Sequence, residues 1–138
     1  MQCNMISFIV PGEPRGKQRP RMSTRTGRAY TPKETLMYEN LVKVQYQKSA
    51  CGKCFEGPIR AYITCYYAIP KSMSKTKREK ALSGLLRPVK KPDLDNIAKA
   101  ILDSLNKLAY SDDNQVVEII IKKYYAEKPF VKVELQQI

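Results

Sequence analysis

The chain reads KPDLDNIAKAILDSLNKLAYSDDNQV from Lys91 to Val116. Apolar residues recur in this stretch at intervals of three and four, the pattern of a helix with one face in a core. They are Leu94, Ile97, Ala98, Ile101, Leu105 and Leu108. Proline is not tolerated inside a helix and aspartate is a good N-cap, so we expect the helix to begin at Asp93, directly after Pro92. We predict that the fold is organised around this helix.

Four aspartates lie at the two ends of the predicted helix. Asp93 and Asp95 are at its start, and Asp112 and Asp113 come just after its end. Aspartates at such positions ordinarily cap helices, complement the helix dipole or form turns, and this interpretation stays open. A helix of about 14 residues is about 21 Å long. The two pairs can therefore meet only if the next strand runs back along the helix or a partner chain supplies one pair.

The composition indicates a polyanionic partner. Lys and Arg number 25 against 13 Asp and Glu in 138 residues, which gives a net charge of +12. Such an excess on a short chain favours nucleic acid first and an anionic membrane second. No apolar run has the length of a membrane span, and no basic leader precedes an apolar stretch. We expect a cytoplasmic protein without membrane contact, folded as a single domain over 1–138.

The chemistry available to the chain is limited by its lack of histidine. Ser-His triads, histidine-metal nucleases and histidine general bases are excluded, which leaves carboxylates and lysine. Cys51 and Cys54 have the spacing of half a zinc site or of a redox pair. Cys3 and Cys65 lie alone in predicted strands, which favours free thiols. A zinc-stabilised basic protein built on Cys51 and Cys54 remains an alternative.

A basic segment follows the first predicted strand. Glycine, proline, serine and threonine make it a loop, and it contains no acidic residue. Its basic residues are Arg15, Lys17, Arg19, Arg21, Arg25, Arg28 and Lys33. We interpret the loop as an arm that contacts DNA phosphates and becomes ordered when DNA is bound.

The remaining elements predict an α+β domain with a mixed or antiparallel sheet and helices packed on it. A capping box from Thr31 to Glu34 predicts a helix to about residue 48, and a second capping box at Thr76 predicts a short helix ended by Gly84. Alternating or β-rich segments predict strands over 5–10, 58–70, 115–125 and 130–135. The last two strands are close enough in sequence to form a hairpin.

Carboxylates on a surface that binds a polyanion need a compensating cation. Mg²⁺ takes oxygen ligands from one or two carboxylates and accepts a phosphate oxygen. Lys99, four residues after Asp95, could stabilise negative charge on the phosphate or form an ion pair with Asp95. These features favour a metal-dependent nuclease. The alternative is a non-catalytic nucleic-acid-binding domain whose aspartates are structural.

Three spaced motifs resemble the RusA family of Holliday junction resolvases. The sequence reads Pro-Asp-Leu-Asp-Asn-x-x-Lys over 92–99, Leu-Asp-x-Leu over 102–105 and Asp-Asp-x-Gln-Val over 112–116. Gly-x-Pro-x-x-Lys-x-Arg-Pro-Arg over 12–21 and Tyr-Thr-Pro over 30–32 are also similar to members of that family. The resemblance spans most of the chain, from about residue 5 to residue 125.

The resemblance implies a RusA-like fold and a small homodimeric endonuclease that acts in DNA recombination and repair. Its substrate would be branched DNA, a four-way junction cut by paired symmetric nicks with Mg²⁺ or Mn²⁺ and no small-molecule cofactor. A nuclease that prefers flaps or forks is the alternative within this class. The resemblance assigns metal binding to Asp93, Asp95 and Asp113 and catalysis to these three and Lys99. Asn96 and Asp112 would support the site.

Overall fold

The computed structural model describes residues 4–138. Its elements are β1 (Met5–Pro11), β2 (Arg21–Met22), β3 (Ala29–Tyr30), α1 (Lys33–Ala50), β4 (Ile59–Ala68), α2 (Lys75–Ser83), α3 (Leu94–Ser104), β5 (Val116–Ala126) and β6 (Phe130–Gln137). One turn of 3-10 helix, Asp113–Gln115, comes directly before β5. The predicted α+β class is confirmed.

The main sheet has four strands in the order β1-β6-β4-β5. β6 pairs antiparallel with both β1 and β4, whereas β5 pairs parallel with β4 and forms one edge of the sheet. The predicted hairpin between the last two strands is therefore wrong. β6 lies between β1 and β4 and buries Val131, Val133 and Leu135 completely, whereas β5 carries charged residues that suit an edge.

The core lies on one face of this sheet, under α1 and α3. Alternate residues of β1, β4 and β6 point into it, as the period of a half-buried strand requires. α3 contributes the buried side chains of Ile97, Ala100 and Ile101 to the core. Ile97 and Ile101 belong to the predicted apolar stripe, and Ala100 lies directly before Ile101. α3 is thus held along the sheet by its apolar side, and its polar side faces away from the core.

The helix starts differ in part from the prediction. α3 begins after Asp93 as expected. α2 has Ser74 as its N-cap, because the Ser74 hydroxyl accepts a hydrogen bond from the Lys77 N–H, so the capping box at Thr76 is wrong. α1 has Pro32 as its N-cap and no side-chain capping bond, so the predicted box at Thr31 is absent too.

The described cysteines are free thiols. Cys51 and Cys54 are exposed around the end of α1, and Cys65 is buried in β4. Burial raises the pKa of the Cys65 thiol to about 12, which keeps it protonated at neutral pH. Cys3 lies outside the described residues. No helix within residues 4–138 has the length and apolar character to cross a membrane.

Candidate active site around helix α3

The start of α3 presents two carboxylates that make no capping bond. Asp93 occupies the N-cap position with extended backbone angles, but its side chain accepts no hydrogen bond from the helix. Asp95 lies in the first turn, and both side chains are exposed. Pro92, which precedes them, is fixed to the sheet because its carbonyl accepts a hydrogen bond from the Tyr67 hydroxyl at 3.3 Å. The carboxylates are therefore held in place while remaining available to a ligand.

The pKa of the Tyr67 hydroxyl is affected by charged groups near the start of α3. Its pKa is raised to about 12, first by burial and then by the nearby groups Cys65, Glu13 and Asp93. Glu13 precedes the basic loop and was not among the predicted site residues. Two acids, Glu13 and Asp93, therefore lie near Tyr67, together with Lys90 and Lys123, whose ammonium groups are 5.3 and 5.5 Å from the centre of its ring.

Lys99 lies one turn after Asp95 on the exposed side of α3. The ion pair that could have joined these two residues is not formed, and Lys99 contacts no other acidic group in the described part of the chain. Its ammonium group is therefore free to meet an anion from solvent.

A second group of acids lies at the other end of α3. The pKa of Asp113 is raised, first because the carboxyl is partly buried and then because of its contacts with Asp103 and Asp112. Asp112 also caps the 3-10 turn, and Gln115 completes a capping box with it. Asp112 therefore has the turn-forming role that was considered for it. The carboxyl of Asp113 contacts the carboxylates of Asp103 and Asp112.

The two groups of acids do not meet within one chain. From Asp93 to Asp103 there are ten residues of helix, a rise of about 15 Å. Over residues 4–138, no three Asp, Glu, Cys or His side chains are arranged so that they could hold a metal ion. Asp113 lies before β5, so this strand does not bring it back to Asp93. Of the two ways in which the pairs could meet, a strand running back along the helix is therefore not used.

The start of the basic loop runs along α3 and is bound to it. Lys17 Nζ contacts Asp103 Oδ2 at 2.6 Å, and the Lys17 N–H donates to the Asn96 carbonyl at 3.4 Å. A side chain at Gly16 would overlap the Asn96 amide group. Asn96 therefore contacts the basic loop, and the supporting role that the resemblance implies for it stays a prediction. Asp103 was missed as a site residue, although it continues the face of Asp95 and Lys99 at intervals of four.

The rest of the basic loop is a small hairpin. β2 and β3 pair antiparallel, and the Ser23 hydroxyl accepts hydrogen bonds from the N–H groups of Arg25 and Thr26 in the turn. The predicted DNA-binding residues other than Lys17 are exposed: Arg15, Arg19, Arg21, Arg25 and Arg28. Lys17 is partly buried in its pair with Asp103. The segment predicted as a loop therefore has defined backbone structure and carries its cations on the outside.

A cleft of about 370 Å³ separates this loop from α1 and from the start of α3. Arg15, Lys17 and Lys91 contribute positive charge to its wall, and Asn96 closes one side. The Tyr38 hydroxyl is buried near the cleft without a hydrogen-bond partner among the described groups. Burial is the main cause of its raised pKa. The acids at the start of α3 thus adjoin a cleft whose wall carries both these cationic residues and the carboxylates of Glu34 and Glu39.

Comparison with known proteins identifies relatives over almost the whole chain. A family model described as "Endodeoxyribonuclease RusA" matches residues 11–136. The protein named "Uncharacterized protein YqaN" from Bacillus subtilis (strain 168) is 39% identical over 142 residues, covering 100% of this chain and 99% of the relative. The "Crossover junction endodeoxyribonuclease rusA" of Lactococcus phage r1t is 33% identical over 104 residues, 70% of each chain.

Proposed function

Because the chain belongs to the RusA family of endodeoxyribonucleases, we propose that it is a Mg²⁺- or Mn²⁺-dependent nuclease that resolves four-way DNA junctions by paired nicks. The family match over 11–136 carries this proposal. The phage relative, whose name describes a crossover junction endodeoxyribonuclease, supports the choice of substrate. The activity would serve DNA recombination and repair.

The distribution of charge supports binding to DNA. The net charge is +12, yet the acids of the candidate site are concentrated along α3. The exposed Arg19, Arg21, Arg25 and Arg28 follow Lys17 along the segment that it fastens to α3, and Arg15 lies in the wall of the cleft beside the helix. DNA held by these arginines would be kept close to the acidic face of the helix. Contacts with phosphate position DNA in this way without reading its sequence.

The carboxylates of the site suit a hard divalent ion in chemistry, although no three acids of the described residues are arranged to hold it by themselves. Mg²⁺ prefers oxygen ligands and keeps several waters, so that one or two carboxylates and a phosphate oxygen suffice. Asp93 and Asp95 have unpaired carboxylates. The pKa of Asp113 is raised first by burial and then by the carboxylates of Asp103 and Asp112, whose repulsion a cation would relieve. When bound, the ion would polarise the phosphate and lower the pKa of a water molecule.

We propose that a second copy of the chain completes the site. Two symmetric nicks require two equivalent active sites, which a two-fold dimer provides. Since Asp93 and Asp95 are separated from Asp113 along α3, the route left open is that Asp113 joins the first two acids of the partner copy. Within each such site, the carboxylates would hold the divalent ion, and the Lys99 ammonium would contact the phosphate.

Lys99 would stabilise the negative charge that builds up on the phosphate or on the leaving oxygen. Its exposure and its lack of an ion pair support this role, because a lysine already paired with Asp95 would have less charge to offer. Asn96 and the Lys17–Asp103 pair would fix the basic loop beside it.

Incubation of the protein with a labelled four-way junction and with a linear duplex of the same sequence, with and without Mg²⁺, tests the proposal. We expect symmetric paired nicks on the junction only, and only with the metal. Asp95→Asn should bind the junction and leave it uncut, since it removes a charged ligand and keeps the shape of the side chain. Cutting of flaps or forks in preference to the junction would exclude the substrate, and binding without cutting in Mg²⁺ and Mn²⁺ would exclude the nuclease.

A further inference from the structure

The cleft between the basic loop, α1 and the start of α3 has no occupant in the proposed function. Its volume of about 370 Å³ is in the range of small-ligand sites in proteins. Pro92 and Asn96 line the cleft. They are the neighbours in sequence of Asp93 and Asp95, respectively. A group that enters the cleft is therefore next to the carboxylates that would hold the divalent ion.

The charged groups of the cleft favour a neutral ligand over an anion. Glu34 and Glu39 line it, and neither carboxylate forms an ion pair with another described residue. Three cations line it as well, but the Lys17 ammonium is held in an ion pair at 2.6 Å, which leaves Arg15 and Lys91. The two remaining cations and the two carboxylates balance in charge. A phosphate group would therefore gain no net attraction inside the cleft.

The uncharged part of the wall offers hydrogen bonds and apolar surface. The Thr35 hydroxyl donates to the Gln18 side-chain oxygen at 3.5 Å, which leaves the Gln18 NH₂ group to donate to a ligand. Pro14 and Ala100 contribute apolar groups. The carboxylates of the wall need a donor, because an ionised carboxylate can only accept hydrogen bonds. An uncharged ring with donors and acceptors on its edge meets these requirements, and nucleobases are such rings.

Glu39 is the carboxylate for which helix α1 itself provides no role. Glu34 lies in the first turn of α1, where the helix dipole favours a negative charge. Glu39 lies beyond that turn, and within the described chain it forms no ion pair with Lys43, one turn further on. A half-buried carboxylate without a partner opposes the binding of a polyanion unless the ligand gives it a hydrogen-bond donor.

We propose that the cleft takes an unstacked base of the DNA strand that is cut, and that Glu39 accepts a hydrogen bond from the exocyclic amino group of this base. Carboxylates read amino groups of bases in this way. A base that leaves the stack is recognised on its edge and packs against apolar side chains. The inference rests on the proposed function, because the base belongs to the strand whose phosphate lies at Asp93 and Asp95.

A branched substrate suits this mode of binding. Removing a base from the stack costs least where pairing is already interrupted, and the branch point of a junction is such a place. The base in the cleft would fix the strand relative to the acids of α3, whereas the arginines of the basic loop contact only the phosphates. The cleft would thus add a contact to a base where the other proposed contacts ignore the sequence.

Base analogues test the contact directly. In a series of four-way junctions, each adenine, cytosine or guanine within about three nucleotides of the cut is replaced in turn by an analogue without the exocyclic amino group. Single-turnover cleavage in Mg²⁺ is measured for each junction. At one position we expect the analogue to slow the wild-type protein about tenfold or more, because a carboxylate that loses its donor inside a cleft is left unpaired.

The ratio of the two rates, normal base against analogue, identifies the protein group. Glu39→Ala should bring this ratio close to that of an unmodified position, whereas the matched control Glu79→Ala, an exposed glutamate of α2, should keep the wild-type ratio. The ratio is insensitive to the general gain in DNA affinity that follows the loss of a negative charge. A wild-type protein without any sensitive position, or a full ratio in Glu39→Ala, would overturn the proposal.

The outcomes separate this inference from the proposed function. A protein that cuts the junction but has no sensitive position would leave the nuclease intact and exclude a base in the cleft. If the protein cuts no DNA, junctions with 2-aminopurine beside the branch point test the cleft without metal, since this base fluoresces more strongly when it is unstacked. A rise on binding that Glu39→Ala removes would support the cleft while the nuclease is excluded, and no rise would exclude both.

Discussion

Asp113 is a carboxylate whose charge opposes folding at neutral pH. Its pKa is raised by partial burial and by its contacts with Asp103 and Asp112. The stability linked to a raised pKa is present below the pKa of the unfolded chain and is lost as the pH rises through the folded value. We expect Asp113→Asn to increase the free energy of unfolding at pH 7, by up to about 1 kcal/mol for a group with solvent access. Urea denaturation measures this difference.

The pH dependence provides the control for this prediction. The advantage of Asp113→Asn should shrink as the pH falls toward about 4, where an ordinary aspartate becomes protonated. Asp95→Asn should leave the unfolding free energy unchanged, because the Asp95 side chain makes no contact that stabilises the fold. If Asp113→Asn lowered stability at pH 7, the charge would have a structural role and the crowding argument would be wrong.

Lys99 provides a second prediction at this scale. Lys99→Ala should lower the cleavage rate by about a hundredfold, since a positioned cation that stabilises developing charge contributes that much or more. Junction affinity should change little, and both quantities can be measured in single-turnover cleavage and gel-shift titrations. Lys48→Ala, in the last turn of α1, is the matched control. A loss of affinity that accounts for the whole rate change would make Lys99 a phosphate contact only.

The structural position of a single residue could be predicted where neighbouring residues in the sequence determine it. Asp93 was expected at the N-cap because a proline precedes it and an apolar stripe follows. Its free carboxylate could not be foreseen, since a capping bond depends on rotamer and not on residue type. The pairing of Lys17 with Asp103 joins positions 86 apart in sequence, and no spacing rule reaches that far.

At the scale of elements, the contact between the basic loop and α3 leads to the clearest testable prediction. A Cβ at Gly16 would overlap the side chain of Asn96, so Gly16→Ala should push the loop off the helix. We expect a loss of about 1–3 kcal/mol in unfolding free energy, the usual cost of overpacking. Gly16→Ala combined with Asn96→Ala should recover most of this loss, because the second change removes the overlap. A double variant as unstable as Gly16→Ala would mean that Asn96 is not the obstacle.

The β2–β3 hairpin and its flanks can be tested through salt dependence. Arg19→Ala with Arg21→Ala should weaken junction binding and reduce the slope of log affinity against log salt by about 2, since each phosphate contact contributes about 0.9. Replacement of Lys43 and Lys48 on α1 by alanine serves as the control of equal charge. An unchanged slope for the arginine variant would remove these residues from the DNA interface.

Elements were predicted more reliably than their pairing. Hydrophobic periodicity and turn residues predicted the strands of the main sheet and the helices packed on it, because both signals are local in sequence. The arrangement of β5 and β6 could not be read in the same way. A connection of a few residues favours a hairpin. In the folded sheet, however, β6 pairs with β1 and β4, and β5 pairs with β4, so the pairing is set by segments far apart in sequence.

At the scale of the whole molecule, the acids of α3 are divided between its two ends, and no three of the described acidic side chains are arranged to hold a metal ion. A second copy that supplies Asp113 beside Asp93 and Asp95 would complete the proposed site. The sequence motifs predict the acids as a spaced set, but motifs along one chain carry no information about which copy supplies each member.

Complementation between two inactive variants tests this central claim most directly. Asp95→Asn and Asp113→Asn protomers carrying different affinity tags are co-expressed, and the heterodimer is isolated through both tags. If each site combines Asp95 of one copy with Asp113 of the other, one of the two sites is intact, and we expect about half the wild-type rate with a single nick per junction. A heterodimer as inactive as either parent, beside a wild-type protein that cuts the junction, would show that each site is built within one chain.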